Sequence, residues 1–555
     1  MLDADAIRLA KELDGLPLAL ATAGAYLNQA AISFLDYLRL YKESWARLQK
    51  TSPELSSYED RTLYSTWQIS FDYIKKQNRL SAKLLQLWGY FDNQDLWLEL
   101  LQHSDSEDPD WIRELAEDEI SFHGVVRVLG DHGLVEVHRT SQELIESRGY
   151  SIHGCVHSWI IHVLNKEWDC NLARMVVKFI GSHVPGGEDV RPWPTQQRLL
   201  QHVGRCSDIV LNDLATEDGM AWAIHELGRL YRTQDKPAAA EQMYQRALQG
   251  YEKAWGPEHT STLGTVNNLG NLYKSLDRLE DAELMYQRAL HGYEKAWGPE
   301  HTSTLDTVNN LGSLYKSLGR LEDAELMYQR ALYGYEKAWG PEHTSTLNTV
   351  NNLGNLYTDL GRLEDAELMY QRALHGKEKA WGPEHTSTLD TVNNLGGLYT
   401  DLGRLEDAEL MYQRALHGKE KAWGPEHTST LDTVNNLGSL YADLGKLEDA
   451  EQMYQRALQG YEKALGADNV MSYIPALNTI YNLGSLFESQ ADLLEARTMY
   501  SKALVGYKEV FGPDHLTPQR LEESLRALDT VTEQQALSDV EEPVTNLGRN
   551  IASRC

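Results

Sequence analysis

A phrase of 42 residues returns again and again in this chain, and that return limits what it can fold into more than any other feature. Trp255, Trp297, Trp339, Trp381 and Trp423 each open the words W-G-P-E-H-T-S-T-L, and successive tryptophans stand 42 residues apart. Five units are nearly identical. The spacing continues backward in degraded form to Gly228, Tyr231 and Tyr244, and forward to Gly484, Phe487 and Tyr500, where the loop after Gly466 has gained four residues. Seven repeats over residues 217–527 follow. A chain of this kind cannot close one globular core; it must bury each unit against its neighbours.

Within a unit, Val266, Leu269, Leu272, Tyr273 and Leu276 recur at steps of three and four, as do Leu279, Ala282, Met285, Tyr286, Ala289 and Leu290. That spacing predicts two amphipathic helices per unit. Gly319, Gly361, Gly403 and Gly445 stand where the first helix must stop and the chain reverse, and Ser303 with Asp306 reads as an S-x-x-D box starting the next first helix. Gly270, Ala282 and Ala289 supply the small side chains that close helix packing requires. The tryptophans are expected to pack at repeat junctions. The repeated His259, His301, His343, His385 and His427 lack the close companions of a metal site.

The unit resembles the tetratricopeptide repeat, whose L-G-x-x-Y then A-x-x-x-F/Y-x-x-A pattern is met by Leu269, Gly270, Tyr273, Ala282, Tyr286 and Ala289. Its 42-residue period and G-P-E-H-x-x-T-L connector are similar to the kinesin-light-chain type. The resemblance implies a mainly α fold, an α-solenoid forming a right-handed superhelix, with a concave wall lined by first helices on which partner peptides lie. Among the near-copies one stripe varies. It reads Gly264, Asp306, Asn348, Asp390, Asp432, then seven residues on Asn271, Ser313, Asn355, Gly397, Ser439, then Lys274, Lys316, Thr358, Thr400, Ala442, and last Ser275, Ser317, Asp359, Asp401, Asp443. Steps of seven and eleven return to within about 20° on a helix, so three of these four positions share a face.

Beside the stripe stand the unvarying Asn267, Asn309, Asn351, Asn393 and Asn435. Carboxamides both donate and accept, so this ladder suits clamping a ligand backbone while Asn271, Asn355, Asp359, Asp401 and Asp443 select among its side chains. Free drift of exposed positions would give the same variation, and Asp306, Asp390 and Asp432 could serve only as caps. On the clamping reading, replacing Asn351 and Asn393 by Ala weakens a partner without lowering the melting temperature.

The first 215 residues break the period. Residues 1–50 read as helical, and Gly15-Leu-Pro-Leu-Ala-Leu20 resembles the motif of the helical ARC subdomain in NB-ARC signalling ATPases, whose proline approaches the adenine end of the nucleotide. That places Pro17 as a nucleotide contact by resemblance. Residues 61–169 predict helices at 65–74, 81–90, 110–121 and 123–129, then strands at 134–138 and 150–153, a winged-helix-like order. In the same family a Met-His-Asp motif holds bound ADP. The matching stretch here is Ile152-His153-Gly154, so His153 is the candidate switch residue, although the acid is replaced. Ser65-Thr-Trp-Gln-Ile-Ser-Phe71 and Leu87-Trp-Gly-Tyr-Phe-Asp92 look like fungal members of this NLR-like architecture. Residues 170–216 are expected as a helical connector and 528–555 as a flexible tail.

No G-x-x-x-x-G-K-[ST] occurs. Without that phosphate cradle the chain alone is expected not to hydrolyse ATP, and ADP or ATP enters only with an upstream nucleotide module. The chain is then either the carboxyl-terminal part of a longer sensor or a shortened relative. No nucleophile–base pair or metal constellation stands out, so an enzyme is not expected. The formal charge of −30 opposes nucleic acid and anionic membranes, and residues 61–169 hold 10 basic against 18 acidic residues. No apolar run spans a bilayer, no clean basic stretch precedes the apolar segment at 15–27, and four scattered cysteines fit a reducing compartment, so a cytoplasmic setting is expected. The function expected is an interaction scaffold for a protein or peptide with a basic or neutral segment, as the sensing half of an NLR-like protein. Self-assembly is left open. A kinesin-light-chain-like cargo adaptor is the alternative, though it should show amino-terminal heptads, and none are seen.

Overall fold

The computed structural model describes residues 4–12, 20, 23–24, 27, 32–39, 63–102, 109–138, 148–186, 192–215, 219–234, 236–513 and 515–541. It divides into two compact units, Met1–Thr265 and Val266–Cys555. Pro17 and most of its hexapeptide lie outside the described residues.

In the first unit a helix at Ala4–Glu12 is followed by Leu63–Gln77 and Arg79–Trp88, the latter capped by Asn78, whose side chain accepts from the backbone N–H groups of Leu80 and Ser81. The break between the helices expected at 110–121 and 123–129 lies earlier, giving Asp110–Glu117 and Glu119–Asp131. Asp118 ends the first in an extended conformation and caps the second through Ile120 and Ser121, which the apolar period could not reveal. Strands β1 (Glu136–His138) and β2 (Gly149–Ser151) pair antiparallel with Val137 opposite Tyr150, and Leu96 bridges Tyr150 from the far side. Trp88, Phe122, Leu129 and Trp159 are buried beneath this hairpin's neighbours, completing a winged-helix-like arrangement. Helices Cys170–Ser182 and Pro192–Leu211 form the connector. The second is tied down by Arg198, which pairs with Asp95 at 2.7 Å and lies 4.0 Å over the Trp97 ring.

Seven helix pairs follow. They are Ala221–Thr233 with Pro237–Trp255, Thr260–Ser275 with Leu279–Trp297, Thr302–Ser317 with Leu321–Trp339, Thr344–Asp359 with Leu363–Trp381, Thr386–Asp401 with Leu405–Trp423, Thr428–Asp443 with Leu447–Leu465, and Ile474–Ser489 with Leu493–Phe511. The extra residues after Gly466 form a short turn of helix, Ala467–Val470. Gly319, Gly361, Gly403 and Gly445 take φ near +70°, which reverses the chain between paired helices. Ala282, Ala289 and Tyr286 are fully buried, and a Cβ on Gly270 would stand 2.7 Å from the Tyr286 ring, so the repeat admits nothing larger there.

Two expectations are corrected. Ser303 does not cap its helix: His301 does, its Nδ1 accepting from the Ser303 N–H at 3.2 Å, because His301 is the last extended residue and the helix begins at Thr302. The tail expected to be flexible from residue 528 is instead helix through Glu541, where Leu521 and Leu528 still bury apolar surface.

Candidate functional site

In the second unit, the side of each repeat that faces inward can be read from how closely neighbouring helices approach. First helices of successive repeats approach one another directly and are stitched by short carboxamides and hydroxyls. The Asn309 Oδ1 accepts from Thr349 at 3.1 Å and Asn352 at 3.3 Å; Asn351 accepts from Thr391 at 3.0 Å and Asn394 at 3.4 Å. Asn435 accepts from Thr479 and Asn482, Asn267 from Asn310, and Asn393 from Asn436. Second helices are bridged by long charged chains, Arg372 to Glu336 at 2.5 Å and Arg414 to Glu378 at 2.6 Å, and Lys379 reaches Glu342 in the preceding connector at 2.7 Å. Successive first helices stand closer to one another than successive second helices do, which puts the first helices on the inner side of the stack.

The five ladder asparagines therefore occupy the inner side, with their carbonyl oxygens spent between repeats. Asn351 is buried, at 9% exposure. Its replacement would leave the Asn394 amide without this partner and Thr391 with only the Ser387 carbonyl, at about 1–3 kcal/mol for a buried polar group, so a lower melting temperature is expected. The asparagines seven residues after the start of the stripe are also engaged: Asn271 accepts from the Tyr286 hydroxyl at 2.7 Å and Asn355 from Tyr370 at 2.5 Å. Burial raises the pKa of Tyr370, which keeps its hydroxyl a donor.

Asp359, Asp401 and Asp443 are exposed at the far end of the same helices. Asp359 meets Lys316 at 2.8 Å. Enclosure by the surrounding wall pushes the Asp401 carboxyl upward. Lys274 is pushed down by burial and then by Lys316. At the opposite end of the first helices, the carboxylates of Asp306 and Asp432 accept from Tyr335 and Tyr461, the latter at 2.5 Å, and Asp390 pairs with Lys419 at 2.9 Å. Desolvation raises both Asp306 and Asp432, against the lowering by their tyrosines.

Trp255, Trp297 and Trp339 lie between Tyr and His, as Trp297 does 5.4 Å from Tyr293 and 4.1 Å from His301, where it remains 43% exposed; among the described residues the rings of Trp381 and Trp423 meet only that of the histidine. His153 caps the helix Gly154–Trp159, its Nδ1 accepting from Cys155 at 3.4 Å. Two residues escaped the sequence reading. His225 stands where later repeats carry the ladder asparagine and makes the equivalent bond, to Thr265 at 3.0 Å. Trp222 stands where they carry Asp or Asn, and with Tyr251 and Trp255 it lines a cavity of about 300 Å³ in the first unit. Aligning the degraded first repeat on its successors would have exposed both.

No helix among the described residues is long and apolar enough to cross a membrane. Among them no group of three His, Cys, Asp or Glu side chains is placed to hold a metal ion.

Family models described as tetratricopeptide repeat match residues 219–295, 262–337, 303–379, 345–421 and 388–463, and a further one matches 476–517. The chain is 29% identical over 280 residues to a nucleotide-binding leucine-rich repeat (NLR)-like protein of Hyaloscypha variabilis, covering 47% of this chain and 26% of that protein. It thus spans about a quarter of the length of the curated relative it matches. Among solved structures, the nearly identical TPR-like repeats of a Podosopora anserina kinesin light chain align at 21% identity over 38% of this chain and 99% of that one, with a TM-score of 0.31. The Pyrococcus horikoshii signal transduction ATPase with numerous domains (STAND), which has a tetratricopeptide repeat sensor, aligns at 15% identity over 92% of this chain and 75% of that one, with a TM-score of 0.37. The family matches take in more than half of the residues, and the helix pairs they cover are the ones described above. The chain belongs to the tetratricopeptide-repeat family, and its array is a protein-interaction scaffold.

Proposed function

We propose that this chain is the sensing and regulatory part of an NLR-like signalling protein of NB-ARC–tetratricopeptide type, and that its inner face holds an extended segment of a partner protein. The observation that carries the reading is where the repeats differ: the inner stripe changes from repeat to repeat at four first-helix positions, while the second helix changes chiefly at His291, Tyr333 and Gln459 and in the Tyr335 to Lys377 swap, and keeps its ion pairs of Arg372 with Glu336 and Arg414 with Glu378. Variation gathered on the face of the first helices is what selection among ligand side chains would produce. The winged-helix-like hairpin before the array favours a sensor over a cargo adaptor of the kinesin-light-chain kind.

The residues present do not fit a nucleotide by themselves. His153 has its Nδ1 engaged as a helix cap, and the sequence offers no glycine-rich nest with its lysine. ADP or ATP would be held by a separate module, with His153 and Pro17 at most flanking it. The reading is of a non-catalytic, cytoplasmic chain whose partner presents a basic or neutral segment; whether it also self-assembles is open.

The test is site-specific photo-crosslinking in the cells that express the protein. A benzophenone side chain replacing inner Asn394 or Asp401 is expected to capture a partner, and one replacing Leu368, 61% exposed on a second helix, is not. Capture from position 368 alone would overturn the proposal.

A further inference from the structure

Resting on that inner-face reading, we infer that the bound segment is split in charge: acidic where it crosses repeats two and three, basic where it crosses repeats four to six. The inner edge formed by the last turns of the first helices changes sign once. Repeats two and three carry Lys274, whose ammonium donates to the Ser313 hydroxyl, and Lys316, which meets Asp359, each followed by serine. In repeats four to six the lysine position becomes Thr358, Thr400 and Ala442, and the serine position becomes Asp359, Asp401 and Asp443. Glu488 continues the acidic side in repeat seven. The Lys316–Asp359 pair at 2.8 Å marks the boundary.

The acidic half of this edge differs from the outer face in its pairing. On the outer face one acid in each of these repeats meets a cation of the next: Glu325 with Arg362, Glu367 with Arg404, Glu409 with Lys446. Asp401 and Asp443 have no cation within salt-bridge distance among the described residues. Partial burial raises the Asp401 carboxyl. A cation brought by a ligand would supply a partner for these carboxylates.

Adjacent helices stand about 10 Å apart. An extended chain advances about 3.3 Å per residue, so charges on the ligand should recur at about every third residue. The class of partner is thus an extended peptide with acidic residues at that spacing followed, in one chain direction or the other, by basic residues at the same spacing.

The experiment uses the full chain and synthetic peptides about 15 residues long. Two carry the acidic and basic blocks in opposite chain order, and a third of identical composition interleaves the charges. Fluorescence anisotropy should show one block peptide binding about tenfold more tightly than the interleaved one, with the difference shrinking as salt rises. A photoreactive group at its acidic end should mark repeats two and three. In the variant Lys274→Glu, Lys316→Glu, Asp359→Lys, Asp401→Lys, Asp443→Lys the mark should move to repeats five and six. If that variant loses its far-UV circular dichroism, the milder Asp401→Asn, Asp443→Asn pair replaces it and should lose the preference for the block peptide. Block peptides binding no better than interleaved ones, or neither binding, overturns the inference. Equal crosslinking of both to the inner face overturns the charge split and leaves the inner-face reading standing, whereas marks confined to second helices overturn both.

Discussion

Each near-identical repeat starts its first helix on a histidine whose Nδ1 must be bare to accept a backbone N–H: His259 from Ser261, His343 from Ser345, His427 from Ser429 at 3.1 Å. Protonation turns that acceptor into a donor and sets a positive charge at the positive end of the helix dipole. His427 is the most perturbed of these. Burial, then Lys419, push its pKa down to about 4, against the weaker opposing pull of Asp390. A histidine whose folded pKa lies below its unfolded value of about 6.5 contributes stability that is complete above 6.5 and is lost as pH falls toward the folded value. The melting temperature should therefore decline between about pH 6.5 and 4, and His427→Asn, which keeps a cap acceptor without titrating, should decline less steeply. Parallel curves for variant and wild type would show that His427 is not among the titrating groups. The sequence showed these histidines in register; it did not show the cap, because cap geometry depends on a backbone turn that composition does not announce.

At the level of helices, the repeats close on a residue near the end of the second helix that reaches back to the start of the first. Tyr335 reaches Asp306, Tyr461 reaches Asp432, Tyr507 reaches Asn478 at 2.6 Å, and in repeat five Lys419 reaches Asp390. Repeat four combines the lysine with an uncharged residue, Asn348, at the corresponding place. Lys377 is 3% exposed and donates to the Ser387 carbonyl at 3.2 Å. Burial lowers its pKa to about 8, with Asp390 opposing. Because this lies below an unfolded value of about 10.4, the array gains stability from Lys377 only as pH rises from about 8 toward 10.4. Asn348→Asp should copy the Asp390–Lys419 pair, raise the melting temperature at pH 7 and flatten the gain above pH 8. An unchanged or lower melting temperature at pH 7 would show that the aspartate does not reach the ammonium. The swap of Tyr for Lys was plain in the sequence. That the two positions meet was not, since they lie on different helices of the hairpin.

Over the whole second unit, each repeat is held mainly by its neighbours, so stability should follow the sum of nearly equal interfaces. Deleting residues 344–385 joins His343 to Thr386, a junction whose sequence is the same as those it replaces. The shortened chain should remain helical and melt a few degrees lower. One contact depends on the full count of repeats: Asp277, in the turn of repeat two, stands 3.6 Å from His515 at the start of the last helix. Asp277 holds φ +57° where repeats three to six use glycine and repeat seven uses Ala491. Circular dichroism melts decide the matter, and loss of helical signal on deletion would show that long-range closure, not neighbour contact, holds the array.

What the order of residues determined by itself was everything settled inside one period: the helix pair, the turn glycines, the small residues under Tyr286, and the stripe that varies. Those features depend on partners a few residues or one helix away, and a repeated pattern displays them seven times. What only the tertiary structure decided was which polar groups are already engaged. Asn309 and Asn351 are bound by residues 40 and 43 positions further on, in the next repeat. A distance of one period looks the same in the sequence for every position along the unit. Only the stacking of helices decides which positions meet across it, and so leaves the lysines and aspartates of the inner edge facing outward from the wall.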